Sequence, residues 1–356
     1  MHYSHERQKN TDYTAGFFIF ISMKPFSIII LGLFLSFQVI AQNNDLLQLH
    51  ENARTFMRQG DYNNAILVLN RCLQQDPQNL EVLKDLSLNY FYQKDNNRAL
   101  DYIKPVLDRD DADDQCFQIA GNIYKALQMP RDCEKVYKKG LKKFPSSGPL
   151  YSDMGELMYA QKNYEAINQW EKGIEADPAY SRNYFNAAKY YFLTTDKVWS
   201  IIYSEIFINM EPNGNKTPEM KELLLESYKK LFSEVDLEKN NKDKNSFVKA
   251  YLQTMNKQSF LASQGIHTET LTMIRARFIL DWYSNGQNNF AHRLFDEHRK
   301  MLQDGLFEAY NQWLFASVQN LAGFQNWISV HNNEYDAFSD YQRTRPFSMP
   351  AGQYYH

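Results

Sequence analysis

Residues 60–77 read GDYNNAILVLNRCLQQDP, and this stretch decides the fold. Ala65, Leu69 and Cys72 follow one another at steps of four and three, which places them on one face of a helix. Pro77 closes the stretch, because proline lacks the backbone donor and disfavours helix at the residue before it. The pattern predicts an amphipathic helix that ends in a tight turn.

The same arrangement recurs along the chain at a nearly constant interval. Turn positions equivalent to Pro77 follow at Asp111, Pro145, Pro178 and Pro212. The small residue that begins each packing face recurs in the same register, as Ala65, Ala99, Cys133, Ala166 and Ser200. Small residues let two helices approach closely. A period of about 34 residues, as found here, indicates helix–turn–helix units.

Five such units in register resemble the tetratricopeptide repeat family, in its exported bacterial type, over about residues 46–213. The resemblance implies an all-α fold, a right-handed α-solenoid of about five helix pairs. Two departures are local: Asp111 replaces a closing proline, and the fourth unit is one residue short. Pro105 falls inside a predicted helix and should kink or shorten it.

Composition supports a helical, folded chain. Of 356 residues, 44% are hydrophobic and 15% aromatic, which is enough for a core and argues against disorder. Only 14 Gly and 11 Pro are present, which favours helices over a turn-rich β-protein. The net charge of −3 gives no general attraction to nucleic acid, so no nucleic-acid partner is expected.

An uncharged segment, residues 25–44, contains FSIIILGLFLSFQVIA and is preceded by Met23 and Lys24. The order of basic, apolar and small residues is typical of a secretory leader. We expect a start at Met23, cleavage after Ala41, and an exported chain, periplasmic or envelope-associated, with no integral membrane segment. The alternative is an anchor of uncleaved residues 25–41, since about 20 apolar residues can span a bilayer.

The pattern divides the chain into an upstream extension with signal peptide, a repeat solenoid with capping helix, a polar loop or linker, a C-terminal helical region and a tail. These segments are 1–41, 42–232, 233–246, 247–342 and 343–356. Thr217 is expected to cap the last repeat helix, over 217–232. Further antiparallel helices are predicted over 247–257, 267–283, 289–302, 307–321 and 324–341. Three aromatic residues favour a tail strapped onto the helices: Phe347, Tyr354 and Tyr355.

Candidate catalytic and metal-binding residues are weak. In HRLFDEH, His292 and His298 lie six residues apart and face different sides of a helix, whereas a helical zinc pair needs two His four apart. His292 and Asp296 share a face, but two ligands make no metal site, and an exposed His–Asp pair is the ordinary interpretation. The chain has no phosphate-binding glycine loop, no GxSxG and no paired CxxC. We predict no catalytic residue, metal or cofactor.

Three cysteines stand in the repeats: Cys72, Cys116 and Cys133. Cys72 and Cys133 occupy small-residue packing positions, and Cys116 adjoins a phenylalanine on a packing helix. We interpret all three as small buried hydrophobic residues, with a Cys116–Cys133 bridge as the alternative.

The resemblance implies that the first helix of each unit lines a concave groove. Helical phase predicts the residues that face it: Arg54, Arg58, Lys84, Phe91, Tyr92, Asn122, Lys125, Tyr159, Arg182, Phe185, Lys189 and Phe192. Basic and aromatic side chains predict a protein or peptide partner that is acidic and carries apolar anchors. Asp85 and Asp153 stand where a carboxylate clamp of some family members would need Asn, so that type of binding is not expected.

The predicted function is a non-catalytic scaffold for protein–protein or protein–peptide interaction in the bacterial cell envelope. The alternative makes the C-terminal helical region a ligand-binding or enzymatic domain on a repeat platform. A deep pocket with His292, Asp296 or Arg277 would support that alternative, and a solid tryptophan-filled core would remove it. A purely architectural role through self-association is a third possibility.

Overall fold

A computed structural model describes residues 45–233, 237–238, 245–284 and 290–356. Over these ranges the regular secondary structure is helical, and no β-strand occurs in them. The predicted leader, its cleavage site and the alternative anchor lie outside the described residues, as does most of the predicted linker 233–246. Among the helices that are described, none is long and apolar enough to span a membrane.

Two compact units make up the chain, Met1–Asn89 and Tyr90–His356. The first contains helix α1 at residues 45–58, α2 at Tyr62–Gln75 and most of α3, Leu80–Tyr92. The opening stretch therefore forms α2 as predicted. Its N-cap Asp61 accepts a hydrogen bond from the backbone N–H of Asn64 at 3.2 Å, and the three residues of its packing face are fully buried: Ala65, Leu69 and Cys72.

The second unit continues the repeats. Its helices are α4 (Asn96–Ile103), α5 (Asp114–Ala126), α6 (Pro130–Lys143), α7 (Gly148–Ala160), α8 (Ala166–Ala176), α9 (Ser181–Phe192), α10 (Lys197–Met210) and α11 (Thr217–Leu231). Consecutive helices from α4 to α11 pack on one another. The predicted small positions are all fully buried: Ala99, Cys133, Ala166 and Ser200. The repeat pattern in the sequence thus corresponds to helix pairs, as predicted.

Close approach explains the small residues. A Cβ added at Gly121 of α5 would lie 2.1 Å from the Tyr137 ring of α6. A Cβ at Gly155 of α7 would lie 2.3 Å from the indole nitrogen of Trp170 of α8. In each pair a large side chain of the second helix fills the space that glycine leaves on the first.

Pro105 shortens its helix, as predicted. α4 ends at Ile103, and Lys104–Asp108 continue as a 3₁₀-helix with the proline near its start. The capping prediction at Thr217 was wrong. Lys216 occupies the N-cap of α11, and the Thr217 hydroxyl donates instead to the backbone carbonyl of Glu211.

The C-terminal helices begin with α12 (Ser246–Asn256), α13 (Ser259–Ala262), α14 (Thr268–Ser284) and α15 (Arg293–Gln303). The predicted helices 247–257 and 267–283 match α12 and α14 to within one residue. The helix predicted over 289–302 instead begins at Arg293, with His292 as its N-cap; residue 289 lies outside the described ranges.

The last two predicted helices, 307–321 and 324–341, are interrupted in the structure. The segment predicted over 307–321 comprises α16 (Phe307–Asn311), a π-helical turn (Gln312–Ala316) and α17 (Ser317–Gln319). The second divides into α18 (Leu321–Val330) and α19 (Asn332–Thr344). The break falls at His331, whose ring stacks on Trp327 at 4.6 Å and whose Nδ1 lies 3.1 Å from the carbonyl oxygen of that residue.

One hydrophobic core runs through the second unit from Ala166 to Met349. It joins α8–α11 to the C-terminal helices through the stacked rings of Trp199 and Phe247 and the edge-to-face contact of Phe247 with Trp282. The tail is strapped onto this core, as predicted: Met349 is buried, and Tyr354 and Tyr355 are half-buried against it. All three cysteines are buried and none forms a disulfide, so the bridge alternative was wrong.

Candidate peptide-binding surface

Two of the three basic residues predicted to face the groove in the first unit, Arg54 and Lys84, are paired with acids. Arg54 of α1 donates from Nε to Asp85 at 2.9 Å and from Nη2 to Glu81 at 3.1 Å. Lys84 is buried and lies 2.6 Å from the same Glu81. Arg58 is exposed and donates to the hydroxyl of Thr55.

Asp85 is the centre of this network rather than a misplaced clamp residue. Its carboxylate also lies 2.7 Å from Nε2 of His50. Burial raises the pKa of Asp85, but the hydrogen bonds and charges of His50 and Arg54 outweigh that effect, and the net shift is downward. The position that lacks the clamp Asn therefore holds a charged group that joins α1 to α3.

The second unit shows the same pairing. Arg182 of α9 donates to Glu156 of α7 at 2.7 Å, and Lys189 of α9 donates to Glu219 of α11 at 2.6 Å. Lys125 of α5 is half-buried, with its Nζ 5.8 Å from the Tyr137 ring centre. Among the described residues Lys125 forms no ion pair, which distinguishes it from the other two cations.

The amide residues of this surface include one that the sequence analysis missed. Asn186 of α9 donates to the Ser152 hydroxyl at 3.3 Å and to Glu156 at 3.2 Å. Asn122 of α5, which was predicted, is half-buried. Asn186 stands one helical turn after Arg182, so helical phase alone was sufficient to include it.

The predicted aromatic residues differ in exposure. Tyr92 is 47% exposed and Tyr159 is 37% exposed, while Phe91 is half-buried beside Tyr92. Phe185 packs on Phe207 with ring centres 5.2 Å apart. The Phe192 ring lies 3.6 Å from Lys230 Nζ and packs between helices. Only the first two present large open surfaces to a partner.

A cavity of about 550 Å³ opens to solvent where α5 and α7 end. Most of its lining is apolar, and the lining residues are Lys125, Gln128, Met129, Pro130, Glu156, Leu157, Ala160 and Gln161. This volume lies within the range of ordinary ligand pockets, roughly 300 to 1,000 Å³. Met129 is 40% exposed at its edge. The loop residues that line it follow no helical period, so the sequence analysis missed them.

The residues proposed for a C-terminal active site do not converge. His292 is buried, with its ring stacked on Phe295 at 4.6 Å, so the interpretation of an exposed His–Asp pair was wrong. Asp296 accepts a hydrogen bond from the hydroxyl of Tyr283. Arg277 is exposed and lies over the ring of Phe260.

His298 instead joins a buried cluster with Glu205, Arg275 and Tyr310. The cavity beside this cluster measures about 10 Å³, room for about one water. Trp282 is 2% exposed close by, so this region is a filled core rather than a deep pocket. Across the described ranges no three His, Cys, Asp or Glu residues are grouped to hold a metal ion.

Residues 56–123 match the family model for the tetratricopeptide repeat. Residues 56–123 are therefore a tetratricopeptide repeat segment. The matched residues extend from α1 to α5 and cross both units, and the same helix-pair pattern continues in the repeats that follow. A comparison with curated protein sequences finds no match.

Solved structures of tetratricopeptide repeat proteins resemble parts of the chain. PilF of Pseudomonas aeruginosa is 12% identical, with a TM-score of 0.45, 53% of this chain and 85% of PilF being covered. PilW, a widely conserved type IV pilus biogenesis factor, is 16% identical, with a TM-score of 0.43 and coverage of 64% and 97%. A repeat protein from Parabacteroides merdae is 15% identical, with a TM-score of 0.40 and coverage of 72% and 98%.

Proposed function

We propose that the chain is a non-catalytic tetratricopeptide repeat scaffold that binds a protein or peptide partner on the helices α5, α7 and α9. The observation that carries the proposal is the open, mostly apolar cavity at the ends of α5 and α7. Met129 is exposed in its lining, and Tyr159, which precedes the lining residue Ala160, is exposed as well. Well-packed apolar anchors at the centre of an interface supply most of its binding energy.

The ion pairs on this surface determine which chemical groups of the partner can contribute most to binding. Because Arg182 and Lys189 are already neutralised by glutamates, a uniformly acidic partner gains little from them. Lys125 lies at the cavity wall and forms no ion pair among the described residues, although its charge opposes the rise in the pKa of the buried Asp153 carboxyl. The partner we propose is therefore an extended segment with one apolar anchor in the cavity and an acidic group beside Lys125.

The location we propose is the bacterial cell envelope. Its support is the uncharged segment before Ala41, preceded by Lys24, which has the order of a secretory leader. No observation on the described residues favours the alternative of a C-terminal enzyme, since His292 is buried against Phe295 while Arg277 is exposed over Phe260.

Filling the cavity tests the proposal. Ala160 lines the cavity and is exposed, so Ala160→Trp should occupy it without disturbing the core. Ala126 is also exposed, holds the equivalent position at the end of α5 in the preceding repeat and does not line the cavity, so Ala126→Trp is the matched control. In crosslinking and affinity capture from the native cell, we expect Ala160→Trp to lose a partner that Ala126→Trp retains. Equal recovery with both variants would remove the cavity as the binding site.

A further inference from the structure

Residues 347–356 form a strap across the second unit. Met349 is buried, and the side-chain oxygen of Gln353 accepts from the backbone N–H of Arg293 at 2.5 Å. The Tyr355 ring stacks on Phe247 of α12 at 5.0 Å, and its hydroxyl donates to the carbonyl of Ala291 at 2.7 Å. Residues along the length of the strap therefore bind the helices specifically.

The strap ends in a polar seat formed by Glu171 of α8, Tyr191 of α9 and Trp199 of α10. Nε2 of His356 lies 2.6 Å from the Tyr191 hydroxyl oxygen, and Nδ1 lies 3.1 Å from Oε2 of Glu171. The Tyr191 hydroxyl donates to Oε1 of Glu171 at 2.5 Å. The His356 ring lies 5.2 Å from the Trp199 ring, and Glu171 is only 5% exposed.

The protons available to these three polar contacts can be counted. The single hydroxyl proton of Tyr191 goes to Glu171, so the tyrosine oxygen accepts from Nε2–H of His356. The contact between Nδ1 and Oε2 then needs a further proton on one of those two atoms. Neutral histidine carries only one N–H and a carboxylate carries none. The closed ring therefore holds one proton more than neutral His356 and ionised Glu171 supply together.

The other groups that face Glu171 do not supply this proton. Tyr354 of the strap hydrogen-bonds to it, and the carboxylate of Asp196 stands nearby. Burial, opposed by the hydrogen bonds of Tyr191 and Tyr354 and aided by Asp196, raises the pKa of Glu171 to about 7. Burial raises the pKa of both tyrosines, so each keeps its hydroxyl proton at neutral pH. Among the described residues no lysine or arginine forms an ion pair with Glu171.

We propose that residues 347–356 are a dissociable ligand, bound within the chain, of a second recognition site on α8–α10, and that a proton shared by His356 and Glu171 controls its binding. When that proton leaves, a hydrogen bond is lost and a carboxylate stays ionised among aromatic rings, which is unfavourable. Release of the strap uncovers Trp199 and Phe247. This site is separate from the cavity at the ends of α5 and α7.

The sign of the pH dependence follows from linkage. In a released strap His356 has the ordinary pKa of histidine, about 6.5, and we take Glu171 to be ionised once release of the strap has exposed it to solvent. Between pH 6.5 and the pKa of the docked pair, docking takes up one proton. The docking constant therefore falls by up to about tenfold per pH unit in that window, and it is nearly constant just below it.

Hydrogen exchange of the full chain, read by mass spectrometry, tests the proposal. After correction for intrinsic exchange, we expect exchange within residues 347–356 to rise about threefold or more between pH 6.5 and 8.5. Glu171→Gln should stay protected across this range, because the amide donates to Nδ1 and accepts from Tyr191 without a titrating proton. Tyr191→Phe opens the ring of hydrogen bonds and should lose the pH dependence. Circular dichroism at both pH values verifies that the helices remain folded.

Two outcomes would overturn the proposal. One is exchange in the unmodified chain that does not change between pH 6.5 and 8.5. The other is a pH dependence in Glu171→Gln or Tyr191→Phe equal to that of the unmodified chain, since a merely structural contact would not lose its titration in these variants.

Discussion

Glu205 shows at the scale of one residue how the second unit is held together. Its carboxylate, 1% exposed, accepts hydrogen bonds from Arg275 of α14, from His298 of α15 at 2.8 Å and from the Tyr310 hydroxyl of α16 at 2.7 Å. Burial alone would raise the pKa of Glu205, but Arg275 and His298 outweigh it and lower that pKa to about 2. The negative charge is therefore part of the folded state.

Removing that charge should be costly. Glu205→Gln leaves the guanidinium of Arg275 buried without its counter-ion, and we expect the free energy of unfolding to fall by about 3–5 kcal/mol. The matched control is Glu226→Gln, whose exposed pair with Lys229 should contribute at most about 1 kcal/mol. Urea denaturation followed by circular dichroism measures both. Similar losses in the two variants would contradict this account.

The same residue sets a pH dependence in the unmodified chain. Because the folded pKa of Glu205 is lower than its unfolded value, its contribution is present above about pH 4.3 and is lost as pH falls toward 2. In the same denaturation assay the acid-side loss of stability should be smaller in Glu205→Gln than in the unmodified chain.

Sequence reasoning at this scale identified charged residues on these helices but not their partners. Arg182 pairs with Glu156, 26 residues away in the preceding repeat, and Arg54 pairs with Asp85, 31 residues away in the following repeat. These offsets depend on how adjacent helices are aligned, which one helix's periodicity does not contain. The seat of His356 was equally hidden, since Glu171 stands in the middle of the repeats and no sequence period relates it to the strap.

At the scale of elements, the turn inside each repeat has a regular backbone. Gly60, Lys94, Gln128 and Lys162 occupy the same position in four successive repeats, and all have a positive φ, at 75°, 67°, 58° and 60°. This left-handed conformation is unfavourable for residues with a side chain, except Asn and Asp to some degree. The repeat therefore imposes one turn conformation on four different positions.

Gly60 offers a direct measure of what this turn costs. No atom lies within 4 Å of a Cβ added there, so a substitution meets only backbone strain. We expect Gly60→Ala to lower the free energy of unfolding by about 1 kcal/mol. Gly60→Asn should lose less, because Asn tolerates positive φ. Thermal or urea unfolding compares the two, and equal stability of the Ala variant and the unmodified chain would contradict the role given to the turn.

Element boundaries were predictable where the cause is local. α2 ends just before Pro77, and α4 ends just before the 3₁₀-helix that contains Pro105. The π-helical turn at Gln312–Ala316 instead makes a tertiary contact. Lys221 of α11 donates to the Trp313 carbonyl inside that π-helical turn at 2.7 Å, a contact between residues 92 positions apart.

On the scale of the second unit, the repeats and the C-terminal helices share one core. The ring of Trp199 in α10 stacks on Phe247 in α12 at 5.5 Å between centres, and Phe247 contacts Trp282 in α14 edge to face at 5.8 Å. The sequence analysis predicted both groups of helices but had no period to relate them. The shared core means that the C-terminal helices are packed into the repeat array and do not form a separate domain on a repeat platform.

A shared core predicts that a core substitution in the C-terminal helices also destabilises the repeat helices. Trp282→Ala removes a side chain that is 2% exposed and should lower the free energy of unfolding by about 3–5 kcal/mol. Because α10 and α14 both pack against the Phe247 ring, hydrogen exchange should accelerate in both helices. Trp327→Ala is the control, since that ring is half-buried and stacks on His331. Faster exchange in α14 with unchanged exchange in α10 would show two separate cores, and it would restore the C-terminal helices as a domain of their own.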